Sequence, residues 1–248
     1  RKNEILEILQ QEQRVLVSEL SHKYQVTEET IRRDLDKLEK EGFVKKTYGG
    51  AVLNNNTNAE LPLRIREQVA RREKIVISKI VAGIIEEGDT VMLDSSSTSL
   101  VIARALKQFN KLTVITNSVE VLLELAGSSV EVISTGGNLM KSSLSLVGQT
   151  GQNTLSRFNV DKTILSCKGI SMEEGLTDSN EQEAVMKNNM RRSSAQLIIA
   201  VDHNKFDRIS FVQVLELRSG DIVVTDQKPD EKWLAYFEKK HVTVLFEH

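Results

Sequence analysis

Only one cysteine, Cys167, stands in the 248 residues. A single thiol excludes an internal disulfide framework and suits a reducing cytosol. No apolar run approaches the roughly 18 residues a membrane span needs. No charged-then-apolar secretory leader opens the chain. It begins at Arg1 inside a helical pattern, so some residues are expected ahead of it. Basic excess is missing as well. The formal net charge is −2, so any nucleic-acid binding must come from a local patch. No GxxxxGK run is present to cradle a nucleotide phosphate. His22, His203, His241 and His248 are scattered and lack ligand spacing with Cys167, so neither a metal site nor a cofactor is expected. There is no internal repeat, and no low-complexity tract beyond the polar "NNNTN" at 54–58.

What is present is apolar periodicity of two kinds. Over the first fifty residues it is helical. Ile5, Leu6 and Leu9 form one stripe. Ser18 is placed to cap a short helix holding Leu20 and Tyr24. Thr27 is placed to cap a third helix, with Glu28 and Glu29 complementing its positive end. Ile31, Leu35 and Leu38 fall on one face of that helix, and Gly42 ends it. "FVKKTYGGAVL" then reads as two short strands around Gly49 and Gly50. Three short helices followed by a two-stranded wing describe a winged helix-turn-helix over 1–53. At about 100° per residue, Arg33, Glu29 and Lys40 point away from the apolar face. Thr30 and Lys37 flank one side, and Arg32 the other. The plain alternative is a solvated helix face, because Glu28–Arg32 and Glu29–Arg33 are (i, i+4) pairs worth only about 0.2–0.5 kcal/mol each. Lys45 and Lys46 in the wing tilt the balance toward backbone phosphate.

After a linker at 54–62, the domain at 63–248 changes character. One long helical stretch is expected from Leu63 to Glu87, closed by Gly88. Beyond it, continuous apolar strands such as "TVMLD", "LTVIT", "KTILSCKGI", "AQLIIAVD" and "DIVVTD" alternate with helices. That pattern implies an α/β fold with a parallel sheet covered on both faces. Ligands in such folds gather beyond the carboxyl ends of the strands. The loops there are small and polar. "LDSSSTS" supplies Asp94, Ser95, Ser96, Ser97 and Thr98 between a strand and a helix, where backbone N–H groups can approach an anion. Thr116 and Asn117, Gly136 and Gly137, Lys168, and Lys205 in "DHNKF" sit at the other strand ends. Together they read as one phosphate-sugar pocket; singly, each lysine reads as ordinary surface. In "TDSNEQE", Asp178, Glu181 and Glu183 could supply a general base for sugar isomerisation beside Lys168. They could equally cap a helix or bond sugar hydroxyls without chemistry, and both of these are favoured over catalysis. Cys167 reads as a strand-end core cysteine.

The run Arg1, Ile5, Leu9, then "TEETIRRDL" and "LEKEGFVKKTYGGAV" resembles the DeoR family of bacterial transcriptional regulators. The resemblance places Thr27, Thr30, Arg32 and Arg33 at DNA, with Lys45 and Lys46 in the wing. Lys46 and Tyr48 stand where the family has Arg and His. From about Arg66 onward the chain resembles the family's effector domain, similar in fold to ribose-5-phosphate isomerase and glucosamine-6-phosphate deaminase. "RIREQVARREK" sets Arg66 and Lys74 on family positions, which implies Arg66 among the effector-binding residues, and "GLTDSNEQEA" matches as well. The family's usual glycine in the serine loop is replaced here by Ser96-Ser97-Thr98. The resemblance implies a homo-oligomeric, cytoplasmic repressor of a carbohydrate operon that binds operator double-stranded DNA and responds to a phosphorylated sugar, with no membrane partner. Two other readings stay open: a sugar-phosphate isomerase or deaminase with an accessory N-terminal module, and a protein-interaction module built on the winged fold.

Overall fold

The computed structural model describes residues 1–12, 14–53 and 62–247. Two compact units, Arg1–Val69 and Ala70–His248, divide the chain. The linker expected at 54–62 lies outside the described residues, except for Pro62.

The first unit runs α1 (Lys2–Glu12), β1 (Arg14–Leu16), α2 (Val17–Tyr24), α3 (Glu28–Lys40), β2 (Val44–Thr47), β3 (Gly50–Leu53) and α4 (Leu63–Gln68). α3 starts where the Thr30 N–H donates to the Thr27 hydroxyl at 3.3 Å, as the cap chemistry requires. Ile31, Leu35 and Leu38 are buried in one core with Ile5, Leu6, Leu9 and Leu20. Asp34 is buried in the same helix and is held by the Arg1 guanidinium. The wing forms as expected, antiparallel, with Val44 opposite Leu53 and Thr47 opposite Gly50.

A further strand, β1, pairs with β3 and was not legible in the sequence. Gly50 allows that approach, because a Cβ there would stand 1.9 Å from the Val15 carbonyl oxygen. The same strand corrects the start of α2. The chain passes straight from β1 into the helix with Leu16 at the cap position and no side-chain cap, so Ser18 falls inside the first turn.

The single helix expected from Leu63 to Glu87 is two. α4 ends at Gln68, and Ala70 adopts the left-handed region at φ 50°. α5 (Arg71–Ala82) follows. Ile65 is buried in the first unit's core, whereas Ile77 and Val81 are buried in the second unit's. By its contacts, then, the stretch 63–69 goes with the first unit.

In the second unit, α5 is followed by β4 (Thr90–Leu93), α6 (Ser97–Leu106), β5 (Thr113–Thr116), α7 (Val119–Leu125), β6 (Glu131–Ser134), β7 (Asn138–Met140), β8 (Ser145–Val147) and α8 (Gln149–Leu155). Then come β9 (Val160–Leu165), β10 (Gly169–Ser171), β11 (Gly175–Asp178), α9 (Glu181–Arg192), β12 (Ser194–Ala200), β13 (Val212–Leu215), β14 (Ile222–Val224), α10 (Glu231–Lys240) and β15 (Thr243–Leu245). Seven strands form one parallel sheet in the order β15-β14-β12-β9-β4-β5-β6. Alternation along each strand feeds two cores. Val91 and Leu93 pack with α5 and α6 residues such as Ile77 and Leu100. Met92 packs in the other core with Met186, Met190, Trp233 and Phe237. Two small antiparallel sheets, β10-β11-β13 and the β7-β8 hairpin, are added beyond the strand ends. Among the described residues no helix is long and apolar enough to cross a membrane.

The strand order reverses at β4: β5 and β6 extend one way, and β9, β12, β14 and β15 the other. Such a reversal is where open α/β sheets hold ligands, in a crevice at the carboxyl edge; here the loops leaving β4 and β9 are joined across it by the Ser166 N–H donating to Asp94 Oδ2 at 2.8 Å.

Candidate functional site

In the first unit, the outward face of α3 and the wing form a basic surface. The Arg33 side chain is 73% exposed and its Nε donates to Glu29 Oε1 at 3.3 Å. The Arg32 side chain is 53% exposed and its Nη2 donates to Glu28 Oε2 at 2.7 Å. Both pairs are solvent-facing and weak, so DNA can displace them. The Thr27 and Thr30 hydroxyls lie 2.9 Å apart at the helix start. The two wing lysines differ. The ammonium of Lys46 is tied to Asp36, and its N–H donates to Glu39 Oε1 at 2.8 Å, which fastens the wing to α3. Hydrogen bonding to Asp36 pushes the Lys46 pKa up. Lys45 is exposed beside it, and Tyr48 at the wing tip is fully exposed. Arg66, expected at the effector, sits on α4 and by its contacts belongs to this first unit.

In the second unit, the serine loop and the end of β9 converge on one buried ammonium. Lys187 of α9 donates to Asp178 Oδ2 at 2.5 Å and to the Ser166 carbonyl at 2.8 Å, and it lies 3.4 Å from Asp94 Oδ2. Burial works against its charge, but Asp178, Asp94 and Glu183 outweigh burial and raise its pKa above the ordinary lysine range. Burial alone would raise the pKa of Asp178; the ammonium of Lys187 reverses this and holds it below the ordinary carboxylate value. Asp94 Oδ1 accepts from the Ser96 N–H at 3.0 Å and the Ser99 hydroxyl at 2.6 Å, and its Oδ2 accepts from the Ser166 N–H at 2.8 Å. Glu183 Oε1 accepts from the Ser95 hydroxyl at 3.1 Å and from Ser145 at 2.8 Å. The chain thus links β4, the β7-β8 hairpin, β9 and α9 around the crevice.

α6 opens at this crevice. Ser96 caps it by accepting the Ser99 N–H at 3.0 Å, which leaves the N–H groups of Ser97 and Thr98 without an intrahelical partner. Thr116 spans from β5 to the Leu93 carbonyl at 2.8 Å, and Asn117 follows it. Lys168 and Lys205 are half-buried near the same edge; Lys168 helps lower the Asp178 pKa, and Lys205 acts on Cys167. The Cys167 thiol is buried and pushed up to about 12, chiefly by desolvation, so it stays protonated and packs as a core residue. Gly136 and Gly137 turn the chain from β6 into the hairpin at φ 64° and 123°. A Cβ on Gly137 would meet the Val147 carbonyl oxygen at 2.5 Å. Gly137→Ala should therefore cost more than about 1 kcal/mol, read as a lower melting temperature; an unchanged melt would show that the hairpin gives way.

Asp94, Ser95, Ser96, Thr116 and Asn117 are brought together as the sequence pattern implies, but Glu181 is not among them. It is exposed, because Asn180 caps α9 and places positions 181 and 183 about 200° apart. Glu183 is the residue that faces the serines. Lys187 was not picked out in the sequence. Its signal was present: it stands (i, i+4) from Glu183, in a helix that also buries Ala184, Met186 and Met190.

Two family models match this chain: a DeoR-like helix-turn-helix domain over residues 1–57 and a DeoR C terminal sensor domain over residues 69–227. The HTH-type transcriptional regulator YulB of Bacillus subtilis is 38% identical over 98% of this chain and 95% of its own. The HTH-type transcriptional repressor GlcR of the same organism is 33% identical over 97% and 93%. The glycerol-3-phosphate regulon repressor of Escherichia coli is 28% identical over 98% and 96%. Among solved structures, ribose 5-phosphate isomerase A of Methanocaldococcus jannaschii covers 55% of each chain at 12% identity with a TM-score of 0.42. No function follows from a likeness at that level.

Proposed function

This chain belongs to the DeoR family of transcriptional regulators, and from that premise we propose that it represses a carbohydrate-use operon until a phosphorylated sugar binds its sensor domain. It is a DNA-binding regulator with a sensor domain, not an enzyme. The observation that carries the effector reading is the reversal of strand order at β4, with small polar loops gathered at its carboxyl edge. An anion is favoured at the α6 N-terminus, where Ser97 and Thr98 offer N–H groups, with Lys168 and Lys205 near the same edge. Sugar hydroxyls suit the hydroxyl- and carboxylate-lined remainder. A relative named for the glycerol-3-phosphate regulon supports a phosphorylated polyol or sugar.

Thr27, Thr30, Arg32, Arg33 and Lys45 meet operator DNA in this reading, with Lys46 bracing the wing. Asp94, Ser95, Ser96, Ser97, Thr98, Thr116, Asn117, Lys168, Glu183 and Lys205 surround the effector. The regulator acts in the cytoplasm as a homo-oligomer, because helix-turn-helix proteins read paired half-sites. Effector binding lowers the population of the operator-competent arrangement. A thermal-shift screen of sugar phosphates tests the effector class. At about a hundredfold excess over Kd, one member should raise the melting temperature on the order of 5 °C. A panel of pentose, hexose and triose phosphates with no shift would contradict it.

A further inference from the structure

Two buried side-chain atoms beside the crevice, Asn117 Oδ1 and Ser179 Oγ, have no hydrogen-bond partner among the described residues. Asn117 is only 2% exposed. Its amide orientation is fixed by the chain around it. Nδ2 donates to the Leu146 carbonyl at 3.2 Å, and the Leu146 N–H donates back to the Asn117 carbonyl at 2.7 Å. Exchanging the amide nitrogen and oxygen would set two oxygens against each other, so the atom left over is Oδ1, which can only accept. An acceptor buried without a partner costs about 1–3 kcal/mol. Such an atom calls for a partner that the side chains and backbone around it do not supply.

The neighbours say what kind of group it awaits. Leu146 follows Ser145, whose hydroxyl is already donated to Glu183. Asp94, Asp178 and Glu183 outnumber the one buried ammonium among them, Lys187. This part of the crevice is rich in acceptors and unfavourable to a phosphate. A ligand group that meets it must bring donors, and on a sugar phosphate those donors are hydroxyls. The phosphate is left to the N–H groups of Ser97 and Thr98.

Resting on the effector reading above, we infer that Asn117 Oδ1 accepts a hydrogen bond from a ligand hydroxyl and so sets the sensor's preference for polyhydroxylated phosphates over phosphate itself. Calorimetric titration of the full chain tests this with glucose 6-phosphate, fructose 6-phosphate, ribose 5-phosphate, glycerol 3-phosphate and inorganic phosphate. The readout is the ratio of the affinity for the best sugar phosphate to that for inorganic phosphate. Asn117→Leu should cut that ratio about 10- to 100-fold while inorganic phosphate binds as before. Asn117→Gln, which keeps both an amide donor for the Leu146 carbonyl and an acceptor, should retain more of the ratio than Asn117→Leu. The role of Asn117 is overturned if Asn117→Leu weakens sugar phosphate and inorganic phosphate alike, or neither. It is also overturned if Asn117→Leu does not fold and Asn117→Gln loses the ratio as inorganic phosphate binds unchanged. A wild-type protein that binds none of the sugar phosphates overturns the effector reading instead, and that failure appears before any variant is made.

Discussion

Lys187→Met should destabilise the sensor domain by about 3–5 kcal/mol, the cost of removing one partner from a buried ion pair. The methionine fills a similar volume, so the loss is electrostatic rather than a cavity. It leaves Asp178 and Asp94 in a site 5% exposed or less without the ammonium between them. It also removes the donor to the Ser166 carbonyl. In a domain of this size the melting temperature should fall on the order of 10 °C. The pH dependence separates this account from simple misfit. Asp178 has a lowered pKa in the folded protein, so its contribution is complete above its ordinary value of 3.8 and disappears as pH falls through the folded value. Lys187 has a raised pKa, so its contribution is complete below the ordinary 10.5 and disappears only as pH rises through a still higher value. The pair therefore stabilises across the whole range between. In the variant, Asp178 stays desolvated without its main counter-charge and takes up a proton more easily. The stability gap between wild type and variant should narrow as pH is lowered from 7 toward 4. A gap independent of pH in calorimetric melts would mean that the lysine acts by packing alone.

Arg33→Ala should remove about 1–3 kcal/mol of discrimination between the operator and its single-base variants. Its side chain points away from the Ile31, Leu35 and Leu38 core and is the more exposed of the two arginines. Arg32 lies at the flank, and in the proposed reading it meets backbone phosphate. Arg32→Ala should weaken every duplex alike and reduce the salt slope by about 0.9. Neither change should disturb the fold, because the ion pairs lost, to Glu28 and Glu29, are exposed and weak. Fluorescence anisotropy with operator, mutated operator and random duplex at several salt concentrations gives both quantities. Equal effects of the two substitutions on specificity and on slope would refute this division of roles.

Local rules carried much of this reading. Thr27 caps α3 and Gly42 follows its end because those signals act within one turn. The parallel sheet was legible because a strand buried on both faces must be apolar throughout. What was missed depended on distant partners. Ala70 is a good helix former, yet the helix breaks there, since Ile65 and Ile77 are buried in different cores. Ser18 has cap chemistry, but β1 runs directly into α2, and that strand exists because Gly50 lets β3 come close. β11 and β13 are four residues long, too short for period-two alternation to register, and the single strand expected over "KTILSCKGI" is two, β9 ending at Leu165 and β10 starting at Gly169. Glu181 and Glu183 are equivalent as first-turn acids; only the cap at Asn180 decides which one turns inward. Lys187 reads as a surface lysine until Asp94 and Asp178, far apart in sequence, are seen on either side of it.

Effector titration with and without the operator duplex tests the regulatory mechanism most directly. Binding free energies are reciprocal, so operator DNA should weaken sugar-phosphate binding by the same factor as the sugar phosphate weakens operator binding, about 5- to 150-fold. Identical effector affinity in the presence and absence of saturating operator would contradict it.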